Sequence, residues 1–430
     1  MHNLERSILK KDALISIIGL GYVGLPLAVE FAKKGYKVCG IDVDKKRVES
    51  VNKGKSYLVD VDDKILKALV KEKRLKAGTS YSVIAKSDVV IISVPTPLRK
   101  TQEPDISFVI AAAKELKKYL KNNTVVVLES TTYPGTTEEI ILPLLSKGGL
   151  KVGRDFYLAF SPERIDPANK KYNTKNIPKV VGGCTKSCLR LSKMLYSQIV
   201  VEVVAVSSPR VAEMVKLLEN SFRAVNIALA NEAALICDKI DIDVWEVIKA
   251  AESKPFGFMP FYPGPGIGGH CIPADPMYLV WKSRLSGYEP NLIRTAHKIN
   301  SSMPQHIFKL VKSALKERCV GLNNAKALIV GVSYKADVND TRESPAIEIM
   351  RLLDKSGVKV EFYDPLVKKL NLKNKNYKSV NLNVKKIVEQ DIVIIATAHS
   401  RIDYNIFKKA ALLIDTRGVI KWKGKNLIRI

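Results

Sequence analysis

The residues best suited to chemistry lie in Gly264–Asp275, which reads GPGIGGHCIPAD. Four glycines and two prolines in twelve residues predict a tight loop rather than a helix or a strand interior. Such a loop would present the thiol of Cys271 to a ligand, with the carboxylate of Asp275 four residues later. The alternative is an ordinary turn in which Cys271 is a small buried hydrophobe. The loop alone does not decide between the two.

A glycine-rich turn near the N-terminus has the pattern of a dinucleotide site. The apolar run Leu14–Gly19 leads into GLGYVG, and LPLAVEFAKKG then predicts a helix that ends at Gly35. In this pattern Gly19 permits the tight turn, Gly21 lets a pyrophosphate approach the backbone, and Gly24 lets helix and strand pack closely. The phosphates would lie at the helix N-terminus, where the helix dipole favours anions.

The acid that such a site needs is also in place. A second apolar strand, Lys37–Ile41, ends at Asp42, which would accept hydrogen bonds from a ribose 2′-OH and favour NAD over NADP. Arg47 leaves the opposite choice open, because an arginine near that acid can hold a 2′-phosphate. We expect the cofactor to contact Gly19, Gly21, Tyr22, Val23, Gly24, Asp42, Arg47, Thr96 and Thr131.

Two of those threonines follow further predicted strands. Thr96 comes after Asp88–Val94, and Thr131 comes after Thr124–Glu129. Long apolar runs separated by helical patterns indicate buried parallel strands, and loops at their carboxyl ends line the cofactor crevice. The alternative for both hydroxyls is a turn or helix-capping role.

A charged segment follows the next predicted strand, Phe156–Phe160. It reads SPER and contains Glu163 and Arg164. The polar stretch Asp166–Pro178 after it predicts an irregular loop over the site.

A long helix begins the middle of the chain. Ser208 can cap it and Pro209 can occupy its first position, and about thirty residues without further proline or glycine follow. Glu213, Lys216 and Asn220 share one face of this helix. A polar face is usually solvated, so the sequence only modestly favours a functional cluster.

The last third of the chain repeats the strand pattern without the glycine fingerprint. Ala327–Val330, KVEFYDP and Asp391–Ala396 predict a second Rossmann-like half, suited to a nucleotide-type ligand other than the dinucleotide. Lys335 and Arg342 follow its first strand, where they would meet phosphates or carboxylates. Surface lysines and arginines more often serve solubility, and this alternative stays open.

Composition excludes several classes of protein. The 430 residues carry a net charge of +27, but the lysines are spread over predicted helix faces, which favours a solvated surface over a nucleic-acid site. The longest apolar runs are too short to span a bilayer, and the N-terminus has no signal-peptide cleavage pattern, so we expect a cytoplasmic protein. The six cysteines lack metal-site spacing, so we expect free thiols and no metal.

The ordered motifs of the chain resemble the UDP-glucose/GDP-mannose dehydrogenase family over essentially its whole length. They are GLGYVGLP, VPTP, STTYPGTT, SPER, EMVKLLEN, GPGIGGHCIPADP and YKADVNDTRESP. The GGHC loop is similar to the branch that acts on UDP-N-acetylhexosamines. SPER and STTYPGTTEE look most like the members that oxidise UDP-N-acetylglucosamine, with UDP-N-acetylmannosamine kept open and UDP-glucose less favoured.

The resemblance implies an NAD-dependent, four-electron oxidation of the sugar C6 alcohol to a carboxylate. It implies that Cys271 is the nucleophile of a thiohemiacetal and a thioester, and that Lys216 and Asn220 stabilise the oxyanion at C6. Such a step suits the chemistry, because a free aldehyde is a poor hydride donor until a nucleophile adds to it.

The resemblance also implies the supporting roles. Asp275 and Thr131 would position water and pass protons, and Glu163 would be the base for thioester hydrolysis. UDP-glucose enzymes have a longer acidic run after this glutamate, so a role for a second acid there stays open. His270 could tune Cys271, contact the sugar or be structural. We expect the substrate to contact Glu163, Arg164, Lys216, Asn220, Gly268, His270, Lys335 and Arg342.

The whole chain is therefore expected to be an α/β protein with two Rossmann-like, doubly wound domains joined by a central helical domain with one long helix. We predict an NAD-binding domain over 1–206, a central dimerisation domain with the catalytic loop over 207–318, and a UDP-sugar-binding domain over 319–430. The expected partners are a UDP-N-acetylhexosamine, for a surface polysaccharide precursor, and a second copy of the chain, without nucleic acid or membrane.

Two rivals from other classes make different predictions. A two-electron hydroxyacid dehydrogenase shares the Rossmann-plus-helix layout but has no use for GGHC or a second sheet. A non-catalytic basic protein that binds nucleotides or nucleic acid predicts salt-sensitive retention on DNA and indifference to Cys271→Ala.

Overall fold

The computed structural model describes residues 3–58, 60–166, 172, 174–372 and 375–430. Residues 167–171 and 173 of the predicted loop over 166–178 lie outside these ranges. The chain divides into two compact units. The first contains Met1–Glu219 and Met277–Gly287, and the second contains Asn220–Pro276 and Tyr288–Ile430.

The first unit is built on an eight-stranded sheet in the order β3-β2-β1-β4-β5-β6-β7-β8. Its strands are β1 Leu14–Ile18, β2 Lys37–Ile41, β3 Leu75–Gly78, β4 Val89–Ile92, β5 Thr124–Leu128, β6 Phe156–Phe160, β7 Lys179–Gly183 and β8 Val203–Val206. β1 to β6 pair in parallel, β7 runs antiparallel to β6, and β8 runs parallel to β7. The predicted strands are therefore present, and the reversal at β7 is a feature that strand patterning does not predict.

Helices cover both faces of this sheet. They are α1 Asn3–Lys10, α2 Gly24–Lys33, α3 Lys45–Asn52, α4 Asp63–Lys71, α5 Ser107–Tyr119, α6 Leu142–Ser146 and α7 Lys186–Tyr196, with a 3-10 turn at Tyr81–Lys86 and a π-helix at Thr136–Ile141. Alternate residues of β4 enter different cores: Val89 packs with α2 and α7, and Val90 packs with α5. Because a strand points successive side chains to opposite faces, an all-apolar strand requires cover on both sides. The first sheet is doubly wound, as predicted.

Four helices follow, and two of them are long. α8 spans Pro209–Lys239, α9 spans Val244–Glu252, α10 spans Cys271–Leu285 and α11 spans Asn291–Glu317, with 31 residues in α8 and 27 in α11. The Ser208 hydroxyl accepts a hydrogen bond from Val211 N (3.3 Å) at the start of α8, and Pro209 is its first residue. The long predicted helix and its N-terminal signals are therefore confirmed.

The second unit contains a five-stranded parallel sheet in the order β10-β9-β13-β14-β15. Its elements are β9 Lys326–Val330, α12 Pro345–Lys355, β10 Lys359–Tyr363, β11 Lys369–Leu372, β12 Lys375–Lys378, α13 Val384–Val388, β13 Ile392–Ile395, β14 Leu413–Asp415 and β15 Leu427–Arg429, with 3-10 turns at Leu322–Asn324 and Tyr404–Lys409. β11 and β12 form a separate antiparallel pair. Two buried apolar clusters occupy the two faces of the parallel sheet, so the second Rossmann-like half is also confirmed.

The glycine turns of the two sheets correspond residue by residue. Gly19 follows β1 and Gly331 follows β9, both with positive φ (93° and 80°). Gly19 N donates to Ile41 O (2.7 Å), and Gly331 N donates to Tyr363 O (2.8 Å). The six residues from each glycine read GLGYVG and GVSYKA. The second sheet therefore keeps the first glycine of the fingerprint and replaces the other two with serine and alanine.

Among the residues that the structure describes, no helix is long and apolar enough to cross a membrane. The same residues contain no group of three or more histidine, cysteine, aspartate or glutamate side chains that could hold a metal ion. The six cysteines form no disulfide.

Candidate active site

The turn between β1 and α2 is shaped by its three glycines in different ways. A Cβ at Gly19 would lie 2.2 Å from Ser93 O, and one at Gly24 would lie 1.8 Å from Gly19 O, so the backbone excludes any side chain at either position. A Cβ at Gly21 would meet nothing within 4 Å. Only the middle glycine therefore opens onto free space, as the approach of a pyrophosphate requires. Tyr22 and Val23 lie just before α2, with the Tyr22 side chain exposed.

The carboxylate of Asp42, at the end of β2, is buried and bound to the backbone. It accepts hydrogen bonds from Leu20 N (2.8 Å) and Asp44 N (2.9 Å). The guanidinium of Arg47 lies 3.5 Å from Asp42 and also stacks over the ring of Tyr57. Asp42 therefore ties the glycine turn to β2, and Arg47 lies beside the acid, as the sequence predicted.

Thr96 and Thr131 lie after β4 and β5, at the carboxyl edge of the sheet. Thr96 is buried, and its carbonyl accepts a hydrogen bond from the Tyr278 hydroxyl (2.9 Å). The Ser130 hydroxyl accepts from Val94 N (2.9 Å) and so joins the two strand ends. Thr131, the next residue, is half-buried.

Glu163 lies just after β6 with its carboxylate surrounded by donors. Its Oε1 accepts from Arg164 N (2.7 Å) and Ile165 N (2.8 Å), and Oε2 accepts from Lys179 Nζ (3.2 Å). Burial alone would raise the pKa of this carboxyl, but Lys179, the two backbone N–H groups and the charge of Lys216 together lower it. Two predicted residues, Glu163 and Lys216, are thus close enough to interact electrostatically.

Arg164 turns toward α8. Its guanidinium forms two hydrogen bonds with the carboxylate of Glu219 (2.6 and 3.3 Å) and one with Pro178 O (2.7 Å). Three hydrogen bonds hold the side chain in one orientation, so Arg164 anchors the segment after β6 to the helix.

Sequence reasoning missed the charged network behind Glu163. Lys179 Nζ lies 3.2 Å from Oε2 of Glu129 and 3.2 Å from Oε2 of Glu163, and all three side chains are largely buried. The hydroxyl of Tyr196 donates to Oε1 of Glu129, whose Oε2 has no aligned hydrogen bond. Burial raises the pKa of Glu129, whereas that of Glu163 is lowered. The only sequence signal was a lysine at the start of a buried strand.

Lys216 and Glu213 are both buried on α8. The Glu213 carboxylate accepts from Gly135 N (2.6 Å) and from the N (2.9 Å) and Oγ1 (2.7 Å) of Thr137, at the start of the π-helix. Burial raises the pKa of Glu213 to about 7. The polar face predicted on this helix is therefore not solvated, and its first member caps a neighbouring helix.

In the second unit, Asn220 and Asp275 are in direct contact. Asn220 Nδ2 donates to Asp275 Oδ2, and both side chains are buried. The sequence predicted roles for both residues, and the structure pairs them.

Cys271 is not in a loop, and this corrects the sequence expectation for Gly264–Asp275. Residues 264–270 are irregular, but Cys271 is the first residue of α10, and Asp275 lies one turn further along. Pro273 counted against a helix in this stretch, yet a proline in the first turn costs little because its N–H would have no helical partner there. Pro276 lies further inside the helix. The Cys271 side chain is exposed, so it is not the small buried hydrophobe of the alternative.

The irregular segment before Cys271 is held at both ends. Gly264 N donates to Oδ1 of the buried Asn231 (2.9 Å), and Gly269 N donates to Arg342 O (3.0 Å). A Cβ at Gly268 would lie 2.7 Å from Glu343 O and 2.8 Å from the Cβ of Tyr334. The glycines therefore let this segment lie directly against the loop after β9.

His270 and Arg342 meet at this contact. Burial lowers the pKa of His270, and the positive charge of Arg342 lowers it further, which favours the neutral imidazole. The Arg342 guanidinium pairs with Asp340 (2.6 Å) and is half exposed. Lys335 is half-buried in the same loop, and its carbonyl accepts from the Ser333 hydroxyl (2.8 Å).

Comparison with known proteins agrees with both sheets and with the motifs. The chain matches three parts of the UDP-glucose/GDP-mannose dehydrogenase family: the NAD binding domain over 13–200, the central domain over 210–302 and the UDP binding domain over 328–422. The chain therefore belongs to this family and is an NAD-dependent oxidoreductase of the UDP-sugar dehydrogenase class. The boundaries 1–206, 207–318 and 319–430 stay predictions.

Individual relatives are named for different sugars. A UDP-N-acetyl-D-glucosamine 6-dehydrogenase of Pseudomonas aeruginosa is 38% identical over 360 residues, which are 83% of this chain and 84% of that protein. A UDP-N-acetyl-D-mannosamine dehydrogenase of Methanococcus aeolicus is 36% identical over 414 residues, 94% of this chain and 89% of that protein. The solved structure of UDP-D-ManNAc dehydrogenase from Pyrococcus horikoshii superposes with a TM-score of 0.88 at 33% identity and covers 97% of this chain and 98% of its own.

Proposed function

We propose that this protein oxidises the C6 hydroxyl of a UDP-N-acetylhexosamine to a carboxylate, with UDP-N-acetylglucosamine as substrate. The observation that carries the proposal is the exposed thiol of Cys271 at the first position of α10. It lies one helical turn before Asp275, which is buried and hydrogen-bonded to Asn220. The expectations that the reaction takes place in the cytoplasm and supplies a surface polysaccharide precursor belong to the same proposal.

Cys271 makes the second oxidation possible. Its thiolate adds to the C6 aldehyde, so that a C–S bond forms and the carbonyl π electrons move to oxygen, giving a thiohemiacetal. Loss of hydride from that carbon gives a thioester, and water then cleaves the C–S bond to release the carboxylate and the thiol. A helix N-terminus stabilises negative charge, so the position of Cys271 favours the thiolate.

The cofactor fits the turn after β1, where Gly21 opens onto free space between two closely packed glycines. When bound, NAD supplies the hydride acceptor for both oxidations. The residues that would hold it are Gly19, Gly21, Tyr22, Val23, Gly24, Asp42, Arg47, Thr96 and Thr131.

The remaining polar residues take supporting roles in this proposal. Lys216 and Asn220 stabilise the oxyanion at C6, and Asp275 and Thr131 position water and pass protons. Glu163 is the base for thioester hydrolysis; its lowered pKa keeps it anionic at neutral pH, as a base requires, while making it a weak base. The residues that would contact the substrate are Glu163, Arg164, Lys216, Asn220, Gly268, His270, Lys335 and Arg342.

UDP-N-acetylmannosamine is the second candidate substrate. Relatives named for that sugar match this chain nearly as well as those named for UDP-N-acetylglucosamine, at 36% and 38% identity. The mechanism is the same for both, because the two sugars differ at C2 and the reaction takes place at C6.

We also propose that the protein is a homodimer that pairs through α8. Phe222, Leu229 and Ile236 are spaced by seven residues and are 48%, 62% and 55% exposed, and Ile240, directly after the helix, is also exposed. Large apolar side chains in a continuous stripe on a helix typically mark an interface.

Exchange of the nucleophile tests the proposed chemistry. Cys271→Ser should lower turnover by about 10³-fold or more while NAD binding stays intact, because the residue does not belong to the glycine turn. Cys319, which is also exposed, provides the matched control, and Cys319→Ser should turn over like the wild type. Undiminished NADH production by the Cys271→Ser variant would rule out a covalent role for this thiol.

A further inference from the structure

Asp364, the acid directly after β10, corresponds to Asp42 of the first sheet, but its carboxylate is fully buried and already hydrogen-bonded within the protein. Asp364 Oδ2 accepts from Val332 N (2.8 Å), as Asp42 accepts from Leu20 N (2.8 Å). Asp364 Oδ1 accepts from Leu366 N and Val367 N (2.9 Å each), and the side chain is fully buried. Hydrogen bonds from His399 and the backbone hold the pKa of Asp364 at about 2 against the effect of burial.

His399, also fully buried, completes this closure. Its Nδ1 accepts a hydrogen bond from Asp337 N (3.0 Å), which requires that Nδ1 carry no proton. The ring proton is therefore on Nε2, which lies 3.1 Å from Asp364 Oδ2 and 3.1 Å from the Ser333 hydroxyl. Because that hydroxyl donates to Lys335 O (2.8 Å), it accepts from Nε2. The tautomer follows from the backbone donor rather than from an assumed proton position.

These contacts reach the two ends of a short turn that contains Lys335. At one end His399 contacts Ser333, which replaces the middle glycine of the fingerprint. At the other end it accepts a hydrogen bond from the N–H of Asp337. The φ of Asp337 is 61°, a value that residues other than glycine rarely adopt. One buried imidazole thus spans 333–337 and connects the turn to Asp364.

We propose that His399 is a positioning residue that orders the 333–337 turn so that Lys335 meets the anionic diphosphate of the nucleotide sugar. The inference rests on the proposed function, because it assigns Lys335 to the substrate. His399 itself does not touch the substrate. Asp364 binds His399 and four backbone N–H groups, Ser333 N (3.2 Å) among them, so this acid is not available to a ribose, whereas Lys335 supplies a cation for phosphate.

The test measures the affinity for UDP alone by calorimetry on the full chain, so that no turnover is required. His399→Ala should weaken UDP binding by about tenfold, with the affinity for NAD unchanged. His399→Gln should recover part of the loss, because its amide also offers one acceptor and one donor. His306, a partly buried histidine on α11, provides the control, and His306→Ala should bind UDP like the wild type.

A double-mutant cycle with Lys335→Ala separates positioning from general loosening. If His399 acts through Lys335, His399→Ala should cost little further affinity in the Lys335→Ala background. The same tenfold loss in both backgrounds would overturn the proposal. Ser333→Ala, which removes one link and leaves the backbone intact, gives the second test if His399→Ala does not fold, and it should also lose its effect when Lys335 is absent. A wild-type protein that binds no UDP would contradict the proposed function itself.

Discussion

Buried carboxyl groups in the first unit have pKa values shifted in opposite directions: burial raises the pKa of Glu129, whereas Lys179 and backbone N–H groups lower that of Glu163. Glu163 was predicted from its motif, but Glu129, Lys179 and Tyr196 were not, although the four form one network. Glu129 follows β5, Lys179 begins β7 and Tyr196 ends α7, and apolar patterning identifies such positions only as buried. Which strands become neighbours decides the charge pairing, and that information is tertiary. Single-sequence reasoning therefore finds the residue with a motif and misses the counter-charge that sets its ionisation.

Glu213 provides a test of such a shifted group. Its pKa is raised from 4.5 to about 7 in the folded protein, mainly by burial, so between these pH values the folded state holds a proton that the unfolded state has lost. Stability contributed by this group is present below pH 4.5 and is lost as the pH rises to 7. We expect the free energy of unfolding of the wild type, relative to Glu213→Gln, to fall by about 3 kcal/mol over this range, as measured by urea unfolding.

Glu139 provides the control of opposite sign. Hydrogen bonding to Lys282 lowers the pKa of this partly exposed carboxyl, so its contribution is present above pH 4.5 and is lost as the pH falls. The wild type should therefore gain stability relative to Glu139→Gln with rising pH. Parallel pH profiles for the two variants would show that burial does not control the ionisation of Glu213.

At the scale of elements, two glycines of the turn before α2 have different roles: Gly24 is required for packing, and Gly21 leaves space for the cofactor. Gly24→Ala places a methyl group 1.8 Å from Gly19 O, so the backbone must move, and we expect a loss of about 2 kcal/mol in the free energy of unfolding. Gly21→Ala meets no protein atom within 4 Å and should change stability by less than about 0.5 kcal/mol. Its methyl group would instead occupy the space of the pyrophosphate, so the Kd for NAD should rise by about tenfold.

Chemical denaturation and NAD titration of the two variants check this division. Equal losses of stability would contradict the packing argument, and unchanged NAD affinity in Gly21→Ala would contradict the assignment of the open face to the cofactor.

The start of α10 shows where element prediction fails. Glycine and proline content correctly predicted irregular backbone over 264–270 but extended it past Cys271. Composition counts residues without regard to position, whereas proline is tolerated in the first turn of a helix. By contrast, α8 was predicted nearly to its end, because a long run without proline or glycine outweighs local signals. The error matters chemically, since it moves the thiol from a loop to a helix N-terminus.

At the scale of the whole molecule, the exposed stripe on α8 predicts self-association. Leu229→Asp places a charge in the middle of the stripe and should give a monomer in sedimentation velocity, because an unpaired buried charge is costly. Arg223→Asp adds the same side chain about 100° around the helix from Phe222 and should leave the dimer intact. A wild-type monomer at micromolar concentration would contradict the pairing through α8.

The two-sheet architecture was predictable because each half contains strands that are apolar on both faces, separated by helical patterns. The antiparallel β6–β7 pair and the closure of Asp364 by His399 were not, because strand direction and long-range side-chain contacts leave no periodic signal. The correspondence between GLGYVG and GVSYKA became visible only when Gly19 and Gly331 were seen to make the same backbone contacts.

The number of NADH molecules formed per sugar nucleotide tests the central claim most directly. UDP-N-acetylglucosamine, UDP-N-acetylmannosamine and UDP-glucose are each supplied in limiting amount with excess NAD, and the NADH absorbance is followed to completion. We predict two NADH per UDP-N-acetylglucosamine and little from the other two; two per UDP-N-acetylmannosamine instead would keep the mechanism and change the substrate. One NADH per sugar, or none from any of the three, would contradict a four-electron oxidation through Cys271.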